Sequence, residues 1–261
     1  MSLLNTNYYI VRKGDFATDG NTKILYSIFA LYISFDDYIS RNSTECFNLL
    51  IYSTGLWSCV ELFLHLSKTR NIKPMFISLH KSRLELPQII GIILQGFQEG
   101  GFISTLGLYY GDRINQLYYF IHMHMFILFI ICNISIKTNT IKSSKRMINA
   151  NTSVLFISSL TAYNIRKLYY YPDNIYRISC MFAVMVYVCS FWSFYAWYYN
   201  FRMVEVHTKN ILIDNEEYPN NMSQEYTITP ATSLQTFMVI SYDVIFEIGI
   251  AYITFYNLLF V

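Results

Sequence analysis

Asp243 and Glu247 stand four residues apart in the last apolar stretch of the chain, so on a helix they share one face. Two carboxylates that close do not both ionise comfortably, and one should hold a proton at neutral pH unless a metal or a base is supplied. Glu99 lies about 12 residues into the third apolar stretch, with Gln88 and Gln95 on the same helical face. An ionisable group at that depth in a bilayer costs about 2.5 kcal/mol or more on insertion scales, so it faces a partner or water. Glu61, with His65 one turn later, lies in the second stretch, and His122 and His124 lie in the fourth. The i, i+2 spacing turns the two histidines about 200° apart on a helix, so they are not expected to ligate one ion together. No Lys or Arg stands at the same depth in these stretches. If Glu61, Glu99, Asp243, Glu247 and one of the histidines converge, the expected counter-charge is therefore a proton or a metal cation. The alternative is that each acid is protonated and bonded to a neighbouring amide, which gives adhesion between helices and no chemistry.

The elements that would position these groups follow from composition. The 261 residues are 54% hydrophobic and 18% aromatic, and only 14% are charged, about half the share usual in soluble domains. Mean hydropathy is +0.30. A spanning helix needs about 17 to 25 mainly apolar residues to cross about 30 Å of hydrocarbon. Seven stretches meet that need, at about 23–39, 46–66, 87–109, 114–136, 150–169, 174–200 and 232–259. Asp36 and Asp37 shorten the first, and Arg166 and Lys167 interrupt the fifth. The expected fold class is an all-α polytopic transmembrane bundle of seven spans, with residues 1–22 as a cytoplasmic segment and 23–261 as one membrane domain. The first 21 residues lack the charged start, apolar run and cleavage site of a signal peptide, so the first stretch is expected to act as an uncleaved anchor.

Orientation follows from Lys and Arg, which accumulate on the cytoplasmic side. Seven crossings place 14 of them on the N-terminal side and 5 (Arg41, Arg113, Arg166, Lys167 and Arg177) on the other, which predicts a cytoplasmic N-terminus and an outside C-terminus. The connection at about 201–231 is polar and acidic and reads as a cytoplasmic surface loop. The glycosylation sequon at Asn42 falls on the predicted outside and the one at Asn221 on the inside. The five cysteines form no C-x-x-C pair and read as small apolar residues.

Six of the 10 glycines lie in or just after the third stretch, and Gly96 with Gly100 and Gly107 with Gly111 each have the G-x-x-x-G spacing that lets helices pack closely in lipid. That stretch is expected at the centre of the bundle. The aromatic run Phe191–Tyr199 reads as an interfacial anchor. The topology resembles that of the heliorhodopsins and of the adiponectin-receptor and ceramidase group, but the resemblance stops at topology. Residues 232–261 contain no lysine for a retinal Schiff base, and no histidine lies beyond His207 to serve as a late zinc ligand. Nucleotide loops, nucleophile triads and a dense basic stripe for nucleic acid are also absent from the sequence.

The leading expectation is a non-enzymatic multi-pass protein in contact with the lipid bilayer. It would handle a proton or cation through Asp243, Glu247, Glu99, Glu61 and His122 or His124, with no cofactor. The rivals are a membrane-embedded metal-dependent enzyme acting on a lipid and a structural, assembly or receptor-like protein.

Overall fold

The computed structural model describes residues 6–15, 17–80, 82–135, 141–148, 150–209 and 226–261. Asn221, most of the acidic connection (210–225), and Lys81 and Lys137 of the charge count lie outside the described residues.

The described residues are mostly helical, and the seven apolar stretches each become a helix: α1 (Gly20–Arg41), α2 (Glu45–Leu66), α3 (Gln88–Gly111), α4 (Leu117–Ser135), α5 (Ala150–Tyr170), α6 (Pro172–Tyr198) and α7 (Ser233–Phe260). Four of them, α2, α3, α6 and α7, are long and apolar enough to cross a membrane. Both α1, with Lys23 and the Asp36-Asp37 pair, and α5, with Arg166 and Lys167, carry the charges that weaken them as spans. Large apolar side chains such as Ile51, Phe63, Leu155 and Phe237 face outward from the helices, an arrangement suited to a lipid environment rather than water.

Close approach is concentrated on α3, which touches α1, α2, α4, α6 and α7. A Cβ at Gly100 would lie 2.5 Å from Trp57 Cβ and 2.6 Å from the Ser53 carbonyl oxygen on α2, and one at Gly107 would lie 2.5 Å from Met185 Cγ on α6. Gly96 is likewise held against Ser58 of α2, and Gly111 against the Met181 backbone of α6. At the start of α7, Thr232 and Gln235 form a reciprocal cap: Thr232 Oγ1 accepts from the Gln235 N–H, and Gln235 Oε1 accepts from the Thr232 N–H at 2.9 Å.

The all-α expectation is corrected by a sheet. The segments between helices, read from sequence as polar connections, contain β1 (Thr6–Lys13), β2 (Arg70–Ile72), β5 (Lys142–Ile148), β6 (Arg202–Lys209) and β7 (Tyr226–Pro230). They pair antiparallel in the order β2-β5-β1-β6-β7. A separate hairpin joins β3 (Phe76–Leu79) and β4 (Ser82–Glu85). The physical reason is alternation. In β6, Arg202, Val204 and Val206 point one way while Met203, Glu205 and His207 point the other, the period-2 pattern of a sheet with two different faces. The N-terminal segment and the connection at 201–231 are thus partly strand rather than loop.

Candidate functional site

Register places four arginines on one face of the sheet. Arg70 of β2 is opposite Arg146 of β5, and Arg146 is opposite Ile10 of β1. Two residues along, Arg12 of β1 is opposite Arg202 of β6. Because side chains repeat every second residue, all four project to the same side. Like charges directly opposite one another on a sheet are destabilising, so this face requires carboxylates from elsewhere.

The helices supply them. Glu99 of α3 accepts from Arg12 Nη2 at 3.0 Å, Arg70 Nη1 at 3.3 Å and Trp57 Nε1 at 3.0 Å, and also from Gln95. Arg70 forms a second, buried pair with Glu61 of α2. On α7, Asp243 is paired with Arg202 and, at 3.4 Å, with Arg146, whose Nη2 reaches Glu247 at 2.8 Å. Arg202 Nη1 also donates to Ser193 Oγ of α6 at 2.6 Å. Of the three carboxylate-bearing helices, α3 and α7 open into π-helical turns at these residues, over Phe97–Phe102 and Asp243–Ile250. Such turns interrupt α-helices most often at functional sites.

The groups surround a cavity of about 100 Å³, lined among others by Arg12, Lys23, Arg70, Glu99, Asp243 and Glu247. That is room for several waters. Five cationic side chains (Arg12, Lys23, Arg70, Arg146 and Arg202) and three carboxylates line it, and Glu61 joins through Arg70. Electrostatics within the sheet reflect the crowding. Burial opposes the charge on Arg70, yet the Glu61 and Glu99 carboxylates outweigh it and hold the guanidinium above its ordinary value. Arg146 is raised in the same way, with burial overcome by Glu247 and Asp243. Burial wins at Arg12, where Glu99 is offset by the like charges of Arg70 and Arg202 and the group is lowered.

The acids singled out in the sequence therefore meet: Glu99, Asp243 and Glu247 line the cavity, and Glu61 adjoins it. The histidines do not. His122 Nδ1 is 2.9 Å from Tyr110 Oη of α3 and His124 Nδ1 is 2.6 Å from Tyr187 Oη of α6, both away from the cavity lining. Their opposite directions follow from the i, i+2 spacing. His65 lines a small adjoining recess with Glu61 and Arg70. Among the described residues, no three His, Cys, Asp or Glu side chains are grouped to hold a metal ion.

Sequence reasoning missed the four arginines and Lys23. It counted all five among the 14 cytoplasmic charges; all five are buried or nearly so, the arginines against the acids and Lys23 against Gln98. The expectation that the acids lack basic neighbours fails for that reason, because the cations come from the strands and from the first turns of α1 rather than from the same helices. The alternation in β1 and β6 was the signal that could have revealed them. Comparison with protein-family profiles, with curated proteins and with solved structures gives no match.

Proposed function

We propose that the chain is a non-enzymatic, seven-span membrane protein, with its N-terminus cytoplasmic and its C-terminus outside, that handles protons through the carboxylates of the charged chamber. The observation that carries this reading is convergence: acids from three helices and arginines from four strands meet around one cavity. The orientation is supported by charge. With the five chamber cations set aside, nine basic residues remain on the N-terminal side against five on the other.

The arginines favour a proton over a metal ion. A metal cation entering the chamber meets an excess of positive charge, whereas a proton needs only a carboxylate oxygen. Of the three acids lining the cavity, Glu247 has the fewest cationic partners, a single guanidinium from Arg146, while Asp243 has two and Glu99 has two with two further donors. Protonation of Glu247 removes one negative charge and loosens Arg146 from α7, and the reverse step restores the pair. Glu247 is the proposed carrier, Asp243 its neighbour on the same helix and Glu99 the partner across the chamber.

The test is proton flux in liposomes containing the full chain and an internal pH dye. Wild type should dissipate an imposed gradient, and Asp243→Asn with Glu247→Gln should slow it about tenfold or more, which corresponds to about 1.4 kcal/mol or more of barrier. Wild-type liposomes that behave like empty ones would overturn the reading.

A further inference from the structure

We infer that the chamber binds a small oxyanion, a phosphate or carboxylate group, with Lys23 as its principal cationic contact. This inference rests on the chamber being the functional site, as proposed above, and adds the class of its ligand.

Lys23 is 2% exposed and lines the cavity. Its ammonium donates to Gln98 Oε1, an amide oxygen, and among the described residues no carboxylate lies within ion-pair distance of it. A buried cation without a counter-charge carries a desolvation penalty of several kcal/mol, which an anion placed beside it offsets. Every other cation of the chamber already has a carboxylate: Arg12 with Glu99, Arg70 with Glu61 and Glu99, Arg146 with Asp243 and Glu247, and Arg202 with Asp243. The count agrees. Five basic side chains face four carboxylates even when Glu61 is included, so one base has no acid of its own.

Volume and wall chemistry suit the same ligand. A space of about 100 Å³ admits a group of phosphate or carboxylate size. Tyr26, Trp57, Phe102, Trp192 and Tyr252 also line it, so aromatic rings make up part of the wall. In such surroundings, charge-assisted hydrogen bonds to an oxyanion are about twice as strong as neutral ones.

The experiment is calorimetric titration of the full chain in nanodiscs of neutral phosphatidylcholine with inorganic phosphate and with acetate, and a parallel series in discs containing phosphatidic acid followed by phosphorus NMR of the bound headgroup. The expected result is saturable binding of one oxyanion per chain. Saturation by the free anions identifies a soluble ligand, and saturation only in the phosphatidic acid discs identifies a lipid headgroup; either supports the inference. Lys23→Met should weaken binding about tenfold or more, Lys23→Arg should retain it within a few-fold, and Arg177→Met, at the other end of the bundle, should leave it unchanged. Absence of saturable binding to wild type in every series overturns the inference, as does equal binding by Lys23→Met. The wild-type titration decides the matter by itself should Lys23→Met fail to fold. Proton flux without anion binding removes the oxyanion and leaves the proton reading standing, and anion binding without flux does the reverse.

Discussion

The bundle carries an ionic cluster at each end, and the two are built differently. At the end away from the sheet, Arg177 clasps Asp112 through Nε and Nη2, both at 2.7 Å, and also reaches Glu45 at 2.5 Å, while Arg41 joins Asp112 and Arg113 joins Asp37 at 2.9 Å. Arg113 also lies over the Tyr109 ring, 3.8 Å from its centroid. These residues belong to the ends of α1, α2 and α3 and the start of α6, so the cluster ties together adjacent helix ends. Its three arginines pair with three carboxylates, Asp37, Glu45 and Asp112, and the depression beside it is lined by Arg41, Asp112, Arg113 and Gln116. At the sheet end, the cations come from four strands and the first turn of α1 and the acids from α2, α3 and α7, the cations outnumber the acids, and the groups line a cavity. The first arrangement is a clamp with its charges matched. The second has a cation left over and space beside it.

That difference should show in stability. Removing one member of a buried ion pair leaves its partner uncompensated, at a cost of about 3–5 kcal/mol. Arg70→Met strands Glu61 and leaves Glu99 with Arg12 as its remaining ion-pair partner, and thermal unfolding in detergent should show the largest loss of any single substitution at either end. Arg177→Met removes a cation whose side chain is 26% exposed, and its loss should be nearer about 1 kcal/mol, the upper range for solvent-accessible pairs. Equal losses would erase the distinction between site and clamp.

A smaller effect separates the ends by pH. Burial raises Asp112, but hydrogen bonds from Arg177 and Arg41 outweigh it and hold the carboxyl below its ordinary range. A group lowered in the folded state contributes stability that is fully present above its unfolded value, about 3.9, and is lost as pH falls through the folded value. Unfolding measured from about pH 6 to about pH 3 should therefore show a decline in acid that Asp112→Asn reduces. An unchanged acid limb would mean that the clamp contributes little.

The helices were legible because their signal is local. Apolar runs set their extents to within a few residues, and the six glycines of the third stretch marked the helix that α2 and α6 approach most closely. The depth of Glu99, Asp243 and Glu247 pointed to a shared level in the bundle, and they do share a cavity. The sheet was not legible in the same way, because its strands are short, separated by whole helices and carry charges that also satisfy the cytoplasmic-charge rule. Arg12, Arg70, Arg146 and Arg202 look the same in sequence whether they face solvent or fold back onto the helices. Only pairing between strands far apart in the chain, such as Ile10 opposite Arg146 and Arg12 opposite Arg202, decides between the two. His122 and His124 were misjudged for a related reason: depth is readable from sequence, but the helix a side chain faces is not.

The claim that the strand arginines and the helix acids form one coupled site is tested most directly by a double-mutant cycle between Arg146 of β5 and Glu247 of α7. Unfolding free energies of wild type, Arg146→Met, Glu247→Gln and the double variant give the interaction between them. A coupling of about 1–3 kcal/mol is predicted for two partners in one buried network, and effects that add to within about 0.5 kcal/mol would contradict the account.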